Sequence, residues 1–130
     1  MRQIDIAHVL KVNRVNISNW ENNKEIIPLD KLNLYANFFN TNIDYIVGLS
    51  NFKNNNVNNT QILDSTVIGK RIRETRQKFN VTQKELANIL NTTQSTISDY
   101  ENGHTLILTS FAYQICLHYK ISMDWLCGRI

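Results

Sequence analysis

Apolar residues recur at intervals of three and four positions along most of the chain, which is the spacing that places side chains on one face of an α-helix. The chain has only one proline and four glycines, so few positions interrupt a helix. This pattern predicts an all-α protein made of short helices. In the second half of the chain we expect helices near residues 66–79, 83–90, 94–101, 109–119 and 122–127.

The same pattern occurs twice. With an offset of 80 residues and no gap, residues 3–48 align with residues 83–128. An internal repeat of this kind indicates two copies of one small domain, each of which is near the lower size limit for a stable core. The identical pairs include Gln3/Gln83, Ala7/Ala87, Leu10/Leu90, Ser18/Ser98, Glu21/Glu101, Asn22/Asn102, Asp44/Asp124 and Gly48/Gly128.

The repeat predicts a first domain over residues 1–49, a linker over residues 50–65 and a second domain over residues 66–130. Within the linker, residues 51–59 read NFKNNNVNN and contain too few apolar side chains to pack into a core. We therefore expect a flexible linker that lets the two copies move independently.

Local signals in the second copy predict two short helices joined by a tight turn. Thr82 and Glu85 have the spacing of a capping box at the start of the first of these helices. Thr93 is suited to cap the next one. Asn91 lies in the turn between them, where a left-handed backbone is often needed and asparagine tolerates it.

The helix predicted over residues 94–101 has one polar face and one apolar face. Ile97 and Tyr100 point away from the polar side, and the small Ala87 lets the preceding helix cross closely. Two short helices of this form fit the major groove of DNA. The alternative is an ordinary solvated helix surface. The polar face consists of Gln94, Ser95, Ser98, Asp99 and Asn102.

The segment TQKELANILNTTQSTISDYENG, preceded by IGKRIRETRQKFN, closely resembles the Xre family of helix-turn-helix domains, the group that contains the phage lambda repressor and Cro. The resemblance covers nearly the whole second copy, including ISMDWLCG at its end. It implies two lambda-repressor-like domains of about five short helices each, the first of them incomplete. It also implies a sequence-specific DNA-binding regulator, most simply a repressor.

The resemblance further assigns roles to residues of the second copy. Gln94 is implied to read a base edge, with adenine as the expected base, because a glutamine amide offers both a donor and an acceptor. Gln83 is implied to contact a phosphate and to brace Gln94. Arg76 and Glu101 are implied to form a structural ion pair between helices. Ser95 and Asp99 occupy the other base-facing positions, and Thr93 and Asn102 occupy phosphate-facing ones.

Asp99 is the least expected of these residues. A carboxylate near phosphates is unfavourable unless it accepts a hydrogen bond from a cytosine amine. Asp99 therefore either encodes a preference for cytosine or weakens DNA binding.

The groove-facing positions of the first copy differ from those of the second. By pairing geometry, Arg14 suits guanine, Asn19 suits adenine and Val15 suits a thymine methyl group. If both copies bind, the protein recognises two unlike half-sites about one helical turn apart. The alternative is that the first copy is a dimerisation or ligand-free scaffold. The complete set of expected contacts in this copy is Gln3, Arg14, Val15, Ser18, Asn19 and Asn22.

The first copy also lacks a counterpart of the first helix, because Met1 aligns with Val81. Either the natural chain begins upstream of Met1, or the copy has lost a helix and leans on a partner surface. We expect the first explanation to hold. The expected core of this copy is Ile6, Leu10, Ile17, Trp20, Leu32, Phe39 and Ile46.

Charge agrees with a polyanionic partner but is weak evidence by itself. The net charge is +3, and residues 65–130 hold eight basic and five acidic side chains, whereas residues 1–50 hold five of each. The expected partner is double-stranded DNA, with a homodimer or a protein partner as a further possibility. An antitoxin-like interaction protein is the main alternative in function, and a stable protein complex would favour it.

Other classes of function have little support in the sequence. No carboxylate pair, nucleophile and base, phosphate loop or metal cluster is recognisable, so we expect neither an enzyme nor a cofactor. Cys116 and Cys127 lack ligand spacing and are expected to be small core residues in a reducing cytoplasm. No apolar stretch is long enough for a membrane span, and no small-molecule ligand is indicated.

Overall fold

The computed structural model describes residues 26–51 and 62–130. Every regular element in these ranges is an α-helix, which confirms the predicted all-α class. No helix within them combines the length and the apolar character that crossing a membrane requires. The chain divides into two compact units between Ile62 and Leu63.

The described part of the first unit contains helix α1, Leu29–Phe38, and helix α2, Ile43–Ile46. Pro28 precedes α1, at a place where a missing backbone N–H breaks no helical hydrogen bond. The helix ends before Asn40, whose φ of 50° reverses the chain direction. The buried apolar residues of these two helices are Leu29, Leu32, Ala36 and Ile43.

The core predicted for this copy is only partly correct. Leu32 is buried, but Phe39 and Ile46 are half-buried. Phe39 follows the last residue of α1, and its ring packs against Tyr35 with centroids 4.6 Å apart rather than entering the core. The expected core residues Ile6, Leu10, Ile17 and Trp20 lie outside the described residues.

The second unit contains five helices among the described residues, and their bounds lie within one residue of the predicted ones. They are α3, Ser65–Lys78; α4, Gln83–Leu90; α5, Gln94–Glu101; α6, Thr109–Tyr119; and α7, Met123–Leu126.

The start of α3 corrects one prediction. Ser65 was placed in the linker, but it is the first residue of the helix. The reason is Asp64, whose Oδ1 accepts a hydrogen bond from the backbone N–H of Thr66 at 2.9 Å and so caps the helix.

The core of the second unit lies where α3 meets α5 and α7, and where α4 meets α5 and α6. Cys116 and Cys127 are buried, as predicted, and are not joined by a disulfide. The main apolar residues of this core are Ile68, Ile72, Leu86, Leu90, Ile97, Ala112, Ile115, Met123 and Leu126.

Gly69 marks the closest approach of α3 and α5. A Cβ atom at this position would lie 2.4 Å from the carbonyl oxygen of Tyr100 and 2.6 Å from that of Glu101. The backbones of the two helices are therefore in contact, and α3 supports α5 directly.

The sequence repeat is visible in the backbone of the two units. Shifted by 80 residues, α1 and α2 begin at the same positions as α6 and α7. The N–H of Thr41 donates to the carbonyl of Ala36 at 2.9 Å, and the N–H of Ile121 donates to that of Cys116 at 3.1 Å. The chain turns left-handed at Asn40 with φ 50° and at its counterpart Lys120 with φ 56°. The described parts of the two copies thus follow the same local path.

Candidate nucleic-acid interface

Helices α4 and α5 are joined by the predicted tight turn. The Thr82 hydroxyl accepts a hydrogen bond from the N–H of Glu85 at 3.1 Å, and the Glu85 carboxylate accepts one from the N–H of Thr82 at 3.5 Å. Asn91 ends α4 in the left-handed region, with φ 56° and ψ 48°. The capping box and the left-handed turn predicted from sequence are both confirmed.

Helix α5 presents a polar face to solvent, and its opposite face is packed into the core. Its N-terminus is capped by Thr93, whose hydroxyl accepts a hydrogen bond from the N–H of Thr96 at 3.2 Å. Ile97 and Tyr100, on the opposite side, are 0% and 7% exposed. Of the predicted polar face, Gln94, Ser95, Asp99 and Asn102 are exposed and Ser98 is half-buried.

The two glutamines at the helix starts differ in their contacts. The Gln94 side chain forms no hydrogen bond with any residue that the structure describes, so its amide is available to a ligand. The Gln83 amide donates to Oε1 of Glu101 at 3.3 Å. The bracing of Gln94 by Gln83 and the contact of Gln83 with phosphate remain predictions.

Glu101 is the centre of the polar network behind α5. Its side chain is fully buried, and Arg76 donates to Oε2 through Nε at 2.9 Å and to Oε1 through Nη2 at 3.1 Å. The ion pair of Arg76 and Glu101 that the resemblance implies is therefore present in the structure. Because a buried carboxylate is costly without partners, these bonds hold the end of α5 against α3 and α4.

Arg73 is a member of this network that sequence reasoning missed. Its Nε lies 3.2 Å from Oε1 of Glu101, and its Nη2 donates to Oδ1 of Asn102 at 3.3 Å. Asn102 in turn donates from Nδ2 to the Ser98 hydroxyl at 3.3 Å. The signal that could have revealed Arg73 is its position three residues before Arg76, which makes the two neighbours on the surface of α3.

Asp99 has an exposed partner that was also missed. Nδ1 of His104 lies 3.6 Å from Oδ1 of Asp99, and the two side chains are 68% and 53% exposed. Asp99 therefore has a polar side-chain neighbour within the protein.

The structure does not place the expected contacts of the first copy. Gln3, Arg14, Val15, Ser18, Asn19 and Asn22 all lie outside the described residues. Within residues 26–51 and 62–130, no group of three or more His, Cys, Asp or Glu side chains is arranged to hold a metal ion.

The chain matches two protein-family models. One, described as a helix-turn-helix domain, matches residues 69–128. The other, described as helix-turn-helix, matches residues 1–46. These two ranges correspond to the two copies of the sequence repeat.

A curated relative is the HTH-type transcriptional regulator ImmR of Bacillus subtilis (strain 168), which is 37% identical over 62 residues. The match covers 48% of this chain and 49% of that protein, so the chain spans about half the length of this relative.

Two solved structures of the clp gene regulator ClgR from Corynebacterium glutamicum are also similar. One is 21% identical, covers 52% of this chain and 71% of that chain, and has a TM-score of 0.47. The other is 20% identical, covers 53% of this chain and 90% of that chain, and has a TM-score of 0.46. The two family matches show that the chain carries two helix-turn-helix domains in tandem, and together with the ImmR relative they support the resemblance to the Xre family.

Proposed function

We propose that the protein is a sequence-specific, DNA-binding transcriptional regulator that acts as a repressor. It reads the major groove of double-stranded DNA with α5 and with the corresponding helix of the first copy. The observation that carries this proposal is the exposed Gln94 amide at the start of a helix whose other face is anchored by Ile97 and Tyr100. A helix that reads bases has to be held in place on its buried side and to expose polar groups that a base can pair with, and the burial of Ile97 and Tyr100 opposite the exposed Gln94 supports this role for α5.

Each predicted contact residue of the second copy has a role in this proposal. Gln94 reads an adenine through paired donor and acceptor bonds. Ser95, Ser98 and Asp99 face the bases, whereas Gln83, Thr93 and Asn102 contact phosphates and fix the register of the helix. In the first copy, Arg14, Val15, Ser18, Asn19 and Asn22 face the groove, and Gln3 corresponds to Gln83.

The broader features of the proposal follow from this role. A repressor blocks a promoter by occupying it and needs no catalytic site, so we propose a non-enzymatic protein of the cytoplasm. Full occupancy of two half-sites requires either both copies of one chain or a homodimer. The excess of positive charge in residues 65–130 supports a polyanionic partner.

The test is selection of binding sites from a random duplex pool by the full chain and by Gln94→Ala. Gln114→Ala is the matched control, because Gln114 is an exposed glutamine on α6 and not on the polar face of α5. All three proteins are used at one moderate salt concentration, since phosphate attraction alone depends strongly on salt.

We expect the intact chain and Gln114→Ala to enrich the same motif and Gln94→Ala to lose at least one position of it. The symmetry of the motif shows whether the first copy also reads bases. If the folded intact chain enriches no motif, autonomous DNA recognition is wrong, and the antitoxin-like interaction protein becomes the better hypothesis.

A further inference from the structure

We infer that Arg73 binds a DNA backbone phosphate beside the C-terminal end of α5. This inference rests on the proposed DNA-binding function and adds a residue to that interface. It is carried by the charge balance around Glu101, by the hydrogen-bond donors that remain on the two arginines, and by the position of Arg73 next to Asn102.

The charge balance leaves one positive charge beside the buried carboxylate. Two guanidinium groups, those of Arg73 and Arg76, lie against the single charge of Glu101. The Glu101 side chain is fully buried, the Arg76 side chain is 17% exposed and the Arg73 side chain is 45% exposed. The positive charge that Glu101 does not balance therefore lies on Arg73, the more exposed of the two arginines.

The remaining donors point to the same residue. Arg76 uses Nε and Nη2 on Glu101 and donates from Nη1 to the carbonyl of Val81 at 3.1 Å. Arg73 uses Nε on Glu101 and Nη2 on Asn102, while its Nη1 has no hydrogen-bond partner among the described residues. Arginine is suited to phosphate because its planar fork offers several donors at once.

The position of Arg73 connects it to the reading surface. Its Nη2 holds Oδ1 of Asn102, and Nδ2 of Asn102 donates to Ser98, one turn earlier on α5. Phosphates line both edges of the groove that a reading helix enters, so a cation at the end of α5 lies close to one of them. Arg73 also fixes the orientation of the Asn102 amide, because its oxygen is occupied by the guanidinium.

The competing interpretation is that Arg73 only supports Glu101 and Asn102 within the fold. The two interpretations differ in the salt dependence of DNA binding. Each neutralised phosphate contributes about 0.9 to the slope of log affinity against log salt concentration for B-form DNA. A structural residue changes affinity or stability but leaves this slope unchanged.

The experiment measures this slope for the full chain by fluorescence anisotropy, on the duplex enriched by the intact protein, between about 50 and 200 mM salt. Arg73→Gln removes the charge, and Arg73→Lys retains it. Lys78→Gln is the matched control, because Lys78 is an exposed cation of α3 whose Nζ lies 5.7 Å from the centroid of the Phe79 ring.

We expect Arg73→Gln to lower the magnitude of the slope by about 0.9 and to leave the enriched motif unchanged. The slopes of Lys78→Gln and Arg73→Lys should equal that of the intact chain. A folded Arg73→Gln variant with an unchanged slope overturns the inference and leaves the proposed function standing. If the intact chain enriches no motif at all, both are wrong.

A second measurement uses the intact protein and does not depend on the folding of Arg73→Gln. Single phosphates along the selected duplex are replaced one at a time by neutral methylphosphonates. If Arg73 contacts a phosphate, replacing that phosphate should weaken DNA binding by the intact chain and lower the magnitude of its salt-dependence slope. The same replacement should have the same effect on Arg73→Lys. If no replacement lowers the slope of the intact chain, the inference is overturned.

Discussion

Asp124 and Arg129 form a buried ion pair, with Oδ1 and Nε 2.9 Å apart and side chains that are 1% and 0% exposed. The backbone N–H of Arg129 also donates to the carbonyl of Asp124 at 2.8 Å. These two contacts hold the segment that follows α7 against that helix. In the first copy the corresponding residues are Asp44 and Leu49, so the arginine is particular to the second copy.

Replacing Arg129 by leucine, the residue of the first copy, should strongly destabilise the second unit. The change leaves the Asp124 carboxylate buried without its guanidinium, which typically costs about 3–5 kcal/mol of unfolding free energy. The measurement is denaturant unfolding in a Trp20→Phe background, in which Trp125 is the remaining tryptophan and reports on the second unit.

The control for this prediction is the double variant Asp124→Asn with Arg129→Leu. It removes the uncompensated charge, so it should be more stable than Arg129→Leu alone. Equal stability of the two variants would show that the charge of Asp124 is not the source of the loss.

Gly69→Ala should destabilise the protein. Inside a helix, replacing glycine by alanine ordinarily raises the free energy of unfolding by about 1 kcal/mol. The new Cβ atom would lie 2.4 Å from the carbonyl oxygen of Tyr100, so α3 and α5 must move apart. Overpacking of this kind typically costs about 1–3 kcal/mol. The same Trp125 fluorescence assay measures the change.

Lys70→Ala is the matched control, since Lys70 is the exposed neighbour of Gly69 in α3. Its stability should stay within about 0.5 kcal/mol of the intact chain, as for most surface changes. A Gly69→Ala variant that is more stable than the intact chain would contradict the close approach of the helices. Gly69→Ala should also bind DNA less tightly, because α3 supports α5.

Two tyrosines should make the second unit lose stability at alkaline pH. Burial raises the pKa of the Tyr100 phenol above its usual value of 10, against a smaller lowering by a hydrogen bond with the Leu108 backbone. Burial, together with the Glu85 carboxylate, raises the pKa of Tyr119 from the same value. The folded protein therefore keeps both protons to a higher pH than the unfolded chain does.

The sign of the pH effect follows from this difference. The stabilisation is fully present below the unfolded pKa of about 10 and is lost as the pH rises through the higher folded values. Unfolding free energies measured from about pH 9 to 11 should fall more steeply for the intact chain than for Tyr100→Phe with Tyr119→Phe. Parallel pH profiles for the two proteins would contradict the prediction.

Sequence patterns were sufficient for the local structure of the second copy. Helix α4 was predicted at its observed bounds because Thr82, Glu85 and Asn91 signal its start and end within a few residues. The anchoring of Ile97 and Tyr100 followed from helical periodicity. In the first copy the same reasoning placed Phe39 in the core, where its position just after the end of α1 instead leaves it half-buried.

The contacts that sequence reasoning missed join residues that are distant in the chain or depend on a particular crossing of helices. Arg73 lies 28 residues before Glu101. Its spacing of three from Arg76 places the two arginines side by side on α3, but this spacing does not show that the Arg73 side chain reaches Glu101. The role of Gly69 depends on the distance between α3 and α5, which a hydrophobic pattern does not encode. The pair of Asp124 and Arg129 is local, but two charged residues in a short C-terminal segment are usually exposed.

The backbone shared by α1 and α6 has a consequence for how such a protein can diversify. Thr41 and Ile121 close the same hydrogen bond after the helix, and Gly48 and Gly128 turn the chain with φ values of 82° and 78°. A segment exchanged between the copies at these places would join the chain along the same path at both ends. Recombination between the two halves of one coding sequence can therefore exchange residues 41–48 with residues 121–128 while the backbone path at both junctions is preserved, so the two copies can trade this part of their cores in one step.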